Sequence, residues 1–509
     1  MSAPVSLSRS TTSTAPGTGC GGVTRGSSAA GRWKSGVRAC VIACTASGAL
    51  LPVAAGCGGR LEESVSASSG NPQLLSVVAF AETETSRCGI PGGAVAIVVD
   101  GKVQDYAGFG VSDDDGNVVT PETLFLNAGV SKAMVAAAAV SLSEKGELSF
   151  SSPVTAYVPL QLAQGFDPST VTMQTLLTHT SGIPYLDTGD LSCATGPGAL
   201  AAWFATDNQE PLWTTPGEVW NFSQRGYAVA GWAIGAAAKL PFEDAMSALV
   251  FGPSGMSTAT YEPGTVLATN HAVGHFIHTN GSVTPYQPGE YDCAPSRAAD
   301  GVYASVLDDA HFVEALYAGG QSMMAGDSLA GFMTGQTPTY FIPSETNAYG
   351  FYANYPYKGL DLTFMTGDIQ GYQSALVLVP ASRFAVVVLF NGNTNQAGCA
   401  PADVANDAID TYLGVADVAA PDWQTPPSTW QPLLGTYYDP YVFGTISVTS
   451  SGSNLVATTA AYGDVTLTQD SATAFVGIFG DTIETVTFEP DASGPAAWFV
   501  SRLGVGQRQ

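Results

Sequence analysis

The stretch Leu124-Phe125-Leu126-Asn127-Ala128-Gly129-Val130-Ser131-Lys132 decides how the rest of this chain is read. Three apolar residues lead into a turn of small residues, and an Ala-rich segment follows as far as Lys145. That composition predicts a helix from Gly129 to Lys145, buried along much of its length. Helical residues three apart face one way, whereas neighbours point about 100° apart around the axis. Gly129 and Lys132 therefore share a face, and Ser131 and Lys132 do not.

Upstream, Pro72 to Arg87 has helical periodicity. Ala94-Val95-Ala96-Ile97-Val98-Val99 reads as a buried strand, Asp100-Gly101 as a hairpin turn and Val103 to Gly110 as the returning strand. Downstream the chain is rich in turns, with amphipathic helices at 225–239 and 307–318. Strand runs return at Ser374 to Val379 and Phe384 to Leu389, and Val404 to Leu413 reads as a closing helix. After the proline-rich Pro421 to Pro427, apolar and polar residues alternate in short runs without helical periodicity.

These patterns predict a main α/β (α+β) domain at 72–420, with a mostly helical and loop subdomain at about 150–350. A linker at 421–429 and a small antiparallel β domain at 430–509 complete it. A chain of 509 residues can bury cores in each.

The first 56 residues carry five basic side chains (Arg9, Arg25, Arg32, Lys34, Arg38) and no acidic one. They end in a short apolar run, the pattern of an export signal. Ala54-Ala55-Gly56-Cys57 resembles a bacterial lipobox, which implies lipidation of Cys57 and a flexible tether over 57–71. We therefore expect an exported, membrane-anchored bacterial lipoprotein, periplasmic or on the cell surface. Acidic residues, 43 against 17 basic in the whole chain, disfavour nucleic acid as a partner. Beyond Cys57 stand Cys88, Cys193, Cys293 and Cys399, an even number that suggests two disulfides with three connectivities. We favour Cys88–Cys399 with Cys193–Cys293. No metal or cofactor is expected. His271, His275 and His278 would lie on both faces of an expected strand at 269–279.

Several landmarks in one order resemble the serine β-lactamase and penicillin-binding superfamily, in its branch of class C β-lactamases, D-alanyl-D-alanine carboxypeptidases and esterases. They are Leu176-Leu177-Thr178-His179-Thr180-Ser181-Gly182-Ile183-Pro184, Pro216-Gly217, Phe251-Gly252-Pro253-Ser254-Gly255-Met256, Gly371-Tyr372 and Phe390-Asn391-Gly392. The resemblance spans about residues 72–415. It implies an antiparallel sheet flanked by helices and three catalytic motifs: Ser-x-x-Lys, Tyr-x-Asn and Lys/His-x-Gly.

Each motif is altered in this chain. Gly129 stands in the serine's place while Lys132 is kept. Phe222-Ser223-Gln224 replaces Tyr-x-Asn, which removes the phenolic hydroxyl but keeps an amide. Met365-Thr366-Gly367 replaces Lys/His-x-Gly. Lys132, Gln224, Thr366 and Gly367 remain as candidates for holding a ligand, with an anion, a water or a new partner expected at Lys132. His179 reads as a loop organiser, and Ser131 and Ser223 as small polar residues of a helix turn and a loop turn. The expectation is a non-catalytic relative that binds a peptidoglycan fragment, peptide or protein. The alternatives are a serine hydrolase using Ser131 or Ser223, and a structural envelope lipoprotein.

Overall fold

In the computed structural model, Ala94 to Val99 lies within the strand Gly92–Val99, which is buried on both faces. The structure describes residues 65–163, 166–185, 195–205, 212–290, 292–320, 323–394, 399–416, 424–480, 482–490 and 496–509. The expected signal, Cys57 and Cys193 lie outside them.

Gly92–Val99 sits inside a nine-stranded antiparallel sheet. Across the sheet the strands run Val65–Ala67, Lys102–Gly110, Gly92–Val99, Phe384–Phe390, Tyr372–Val379, Leu360–Ile369, Tyr352–Tyr357, Thr346–Asn347 and Thr337–Pro338. Side chains alternate between the two faces, as strand geometry requires. Val95, Ile97, Val377 and Val386 meet the helices Pro72–Cys88 and Pro401–Leu413. Ala94, Ala96, Leu376 and Val387 face the opposite core, which contains Ser131–Glu144, Gln224–Ala238 and Val306–Tyr317. The Cys88–Cys399 disulfide ties the end of one outer helix to the start of the other. Cys293 is also disulfide-bonded.

Three local expectations need correction. The first concerns the tether, whose last residues are held in place. Val65–Ala67 pairs with Ala107–Phe109, and Ser69 and Asn71 hydrogen-bond Asp105. The open edge of Lys102–Gly110 supplies unpaired backbone groups, and a Ser-rich segment without periodicity gives no sign that it will take them.

The second concerns the start of the Ala-rich helix. Ala128–Val130 forms a single tight turn, and the α-helix begins at Ser131. Ala128 has φ +46°, so the chain cannot enter the helix directly.

The third concerns the strand at 269–279, which contracts to Gly274–Ile277. Residues 270–273 are laid against Leu124 and Ser112 by backbone hydrogen bonds instead. His275 then pairs with Asp114 and the Asn391 carbonyl, while His271 and His278 bond locally. Among the described residues, no three or more His, Cys, Asp or Glu side chains come together as a metal site would require.

The described part of the expected linker packs on the C-terminal domain. Thr425 and Gln469 hydrogen-bond reciprocally, and Trp430 is buried in the C-terminal core, so 424–429 is fastened to the barrel.

That C-terminal domain closes on itself. Eight antiparallel strands, from Gly435–Asp439 to Gly504–Arg508, form a barrel in which the first pairs with the last. Tyr437, Phe443, Phe475, Phe488 and Phe499 pack inside it. Closure leaves no free sheet edge.

Candidate functional site: a cleft capped by the barrel

Lys132, one residue into its helix, is fully buried. Its Nζ donates to the Ala299 carbonyl and to Oδ1 of Asp300, both at 3.1 Å. It also lies 5.1 Å from the centre of the Phe222 ring, where the π face attracts a cation. Gln224 donates from Nε2 to the other Asp300 oxygen at 2.5 Å. Burial pushes the Lys132 ammonium down and the Asp300 carboxyl up, and the charge of each on the other opposes both shifts. Asp300 is thus the new partner at Lys132, where an anion or a water was the other expectation. The rule that a buried lysine needs a partner foretold a partner, but not which of 43 acidic residues it would be.

Gly129 is pressed against the Leu360–Ile369 strand. A Cβ added there would overlap the carbonyl oxygen of Thr366. A Cβ on Gly367 would in turn fall 2.6 Å from the Gly129 nitrogen and from the Asn127 oxygen. Ser374 closes the contact by donating to the Asn127 carbonyl at 2.6 Å. Gly367 is consumed by this backbone packing, so, contrary to expectation, it does not line the cavity.

The second motif approaches from the start of Gln224–Ala238. Ser223 caps that helix: its hydroxyl accepts from Gly226 N–H at 2.9 Å and donates to the Pro184 carbonyl at 3.0 Å. Nδ1 of His179 accepts from Ser223 N–H at 3.0 Å, and its ring sits among Trp220, Phe222 and Tyr227. Burial, with Lys132 nearby, holds His179 well below the usual histidine range, so it stays neutral. Ser131 accepts from Val302 N–H at 3.1 Å. Neither serine lines the cleft.

Between these parts lies a cavity of about 280 Å³. Lys132, Phe222, Gln224, Asp300, Met365 and Thr366 line one side. The barrel supplies Thr485, Thr487, Val500, Ser501 and Arg502, none of which the sequence pointed to. Arg502 lies 3.5 Å from Glu484 and 5.8 Å from the centre of the Tyr185 ring. The barrel is held there by Trp220 N–H on Oε2 of Glu489 and by Thr473 Oγ1 on the Tyr340 carbonyl. No motif marks these contacts, because they join residues about 130 to 270 positions apart.

The chain belongs to the beta-lactamase family, whose model matches residues 77–466, from the first outer helix into the barrel. Within it, the fold is that of the serine β-lactamases and penicillin-binding proteins. Over 365 residues the chain is 26% identical to penicillin-binding protein 4 of Amycolatopsis lactamdurans, covering 68% of this chain and 93% of that one. It is 31% identical over 230 residues to PbpX of Bacillus subtilis (strain 168), covering 45% of this chain and only 55% of PbpX. The octameric penicillin-binding protein homologue from Pyrococcus abyssi superposes with a TM-score of 0.61 at 22% identity, over 85% of this chain and all of that one.

Proposed function

We propose that this chain is a non-catalytic member of its family that binds a ligand in the barrel-capped cleft. The observation that carries this reading is the contact at Gly129: a side chain where the family's nucleophile would stand overlaps the Thr366 carbonyl unless the backbone shifts. Lys132 supports it, being held by Asp300 rather than by a serine. Without a nucleophile and a phenolic proton relay, the covalent route has no starting point.

The cleft retains groups suited to binding. The Gln224 side-chain amide lines the cavity, and Thr366 is exposed on its strand. A peptide or peptidoglycan fragment offers the amide donors that such groups select. The setting we propose is the cell envelope, with a lipid on Cys57 as the membrane anchor.

The test combines labelling with binding. Fluorescent penicillin and fluorophosphonate should leave the protein unlabelled, while muropeptides bind saturably and more weakly to Gln224→Ala. Labelling abolished by Ser131→Ala or Ser223→Ala would overturn this reading in favour of a rearranged hydrolase.

A further inference from the structure

Where the barrel meets the 212–218 loop, a second groove of about 430 Å³ opens. Its walls carry the rings of Phe166, Trp213, Tyr438, Tyr441 and Trp498. Tyr438 and Tyr441 are 46% and 43% exposed. The Tyr441 hydroxyl donates to the Leu212 carbonyl at 3.3 Å, which fixes its ring in place. Thr214 also lines the groove and is 5% exposed, with its hydroxyl oxygen sealed from solvent. Glu218, Gln507 and Gln509 complete the walls, and no described Lys, Arg or His lines them.

These features specify a ligand chemistry. Pre-oriented aromatic faces pack against flat C–H surfaces at little entropic cost. Two amides and one carboxylate suit hydroxyl groups, and the absence of a cation among the lining residues disfavours an anionic ligand. Such pockets concentrate at domain junctions, where this one lies.

We propose that this groove is a binding site for a neutral oligosaccharide, with sugar faces on Tyr438 and Tyr441 and sugar hydroxyls on Glu218, Gln507 and Gln509. The site is separate from the cleft. Trp213 and Glu218 face the groove, while Trp220 and Phe222 of the same segment face the cleft. On the barrel, Trp498 lines the groove while Val500 and Ser501 line the cleft, and the two share no lining residue. The proposal therefore does not rest on the reading of the cleft.

The full chain should be titrated with chitotetraose, cellotetraose and maltotetraose, followed by tryptophan fluorescence and calorimetry. Saturable binding of at least one is expected, at least tenfold weaker in Tyr438→Ala and Tyr441→Ala and several-fold weaker in Gln507→Ala. Circular dichroism establishes that each variant is folded. Neither tyrosine belongs to the barrel core, so their removal leaves it intact. No saturable response to any of the three sugars would overturn the proposal. So would binding that ignores both tyrosine substitutions, or an aromatic-rich peptide that binds the groove more tightly than every sugar.

Discussion

Nζ of Lys132 lies 3.1 Å from Oδ1 of Asp300, and the two side chains are 1% and 7% exposed. An ion pair so deeply buried contributes little net stability, but removing one partner strands the other charge. Asp300→Ala should therefore destabilise the fold by about 3–5 kcal/mol in urea denaturation. Combining it with Lys132→Met should recover most of that loss. A single substitution with no effect would mean that the lysine is solvated rather than paired.

Gly129→Ser restores the family's residue type but not its chemistry. The new side chain meets the Thr366 carbonyl, so the strand or the turn must shift. Overpacking of this kind costs about 1–3 kcal/mol. Stability should fall, and fluorophosphonate should still fail to label the protein. Stable, labelled Gly129→Ser would show that the contact yields easily.

Glu345 should make stability depend on pH. Burial raises its carboxyl to about 7, against the hydrogen bond from Thr339 Oγ1 at 2.6 Å. The folded state then holds a proton that the unfolded state has released. The associated stability is fully present below pH 4.5 and is lost as pH rises through about 7. At 1.36 kcal/mol per unit the loss approaches about 3 kcal/mol. Glu345→Gln should flatten the stability profile between pH 5 and 8, as measured by denaturant midpoints. An unchanged slope would rule out this carboxyl as its source.

The Cys88–Cys399 bond closes a span of 311 residues across one face of the sheet. Losing a bond of this kind typically costs about 2–5 kcal/mol. Cys88→Ser with Cys399→Ser should lower the denaturation midpoint accordingly. Mass spectrometry of unreduced peptides checks the pairing independently.

Sequence periodicity located the main elements to within a few residues. Pro72–Cys88, Gly92–Val99, Val306–Tyr317 and Phe384–Phe390 each carry a local pattern set by burial of one or both faces. The three altered motifs were legible for the same reason, since each is a short string with fixed spacing. The ends of elements were less legible. At Ala128 and at 270–273, long-range backbone contacts override local preference.

By itself, then, the sequence determined the sheet-and-helix architecture and the residues at the three motif positions, because side-chain type and spacing are local quantities. Tertiary structure alone decided that Asp300 meets Lys132, that Thr366 closes the space at Gly129, and that the barrel walls the cleft with Arg502. Those contacts depend on how sheet, helices and barrel pack. Packing is fixed by the shape of whole faces, and no single segment of the chain encodes it.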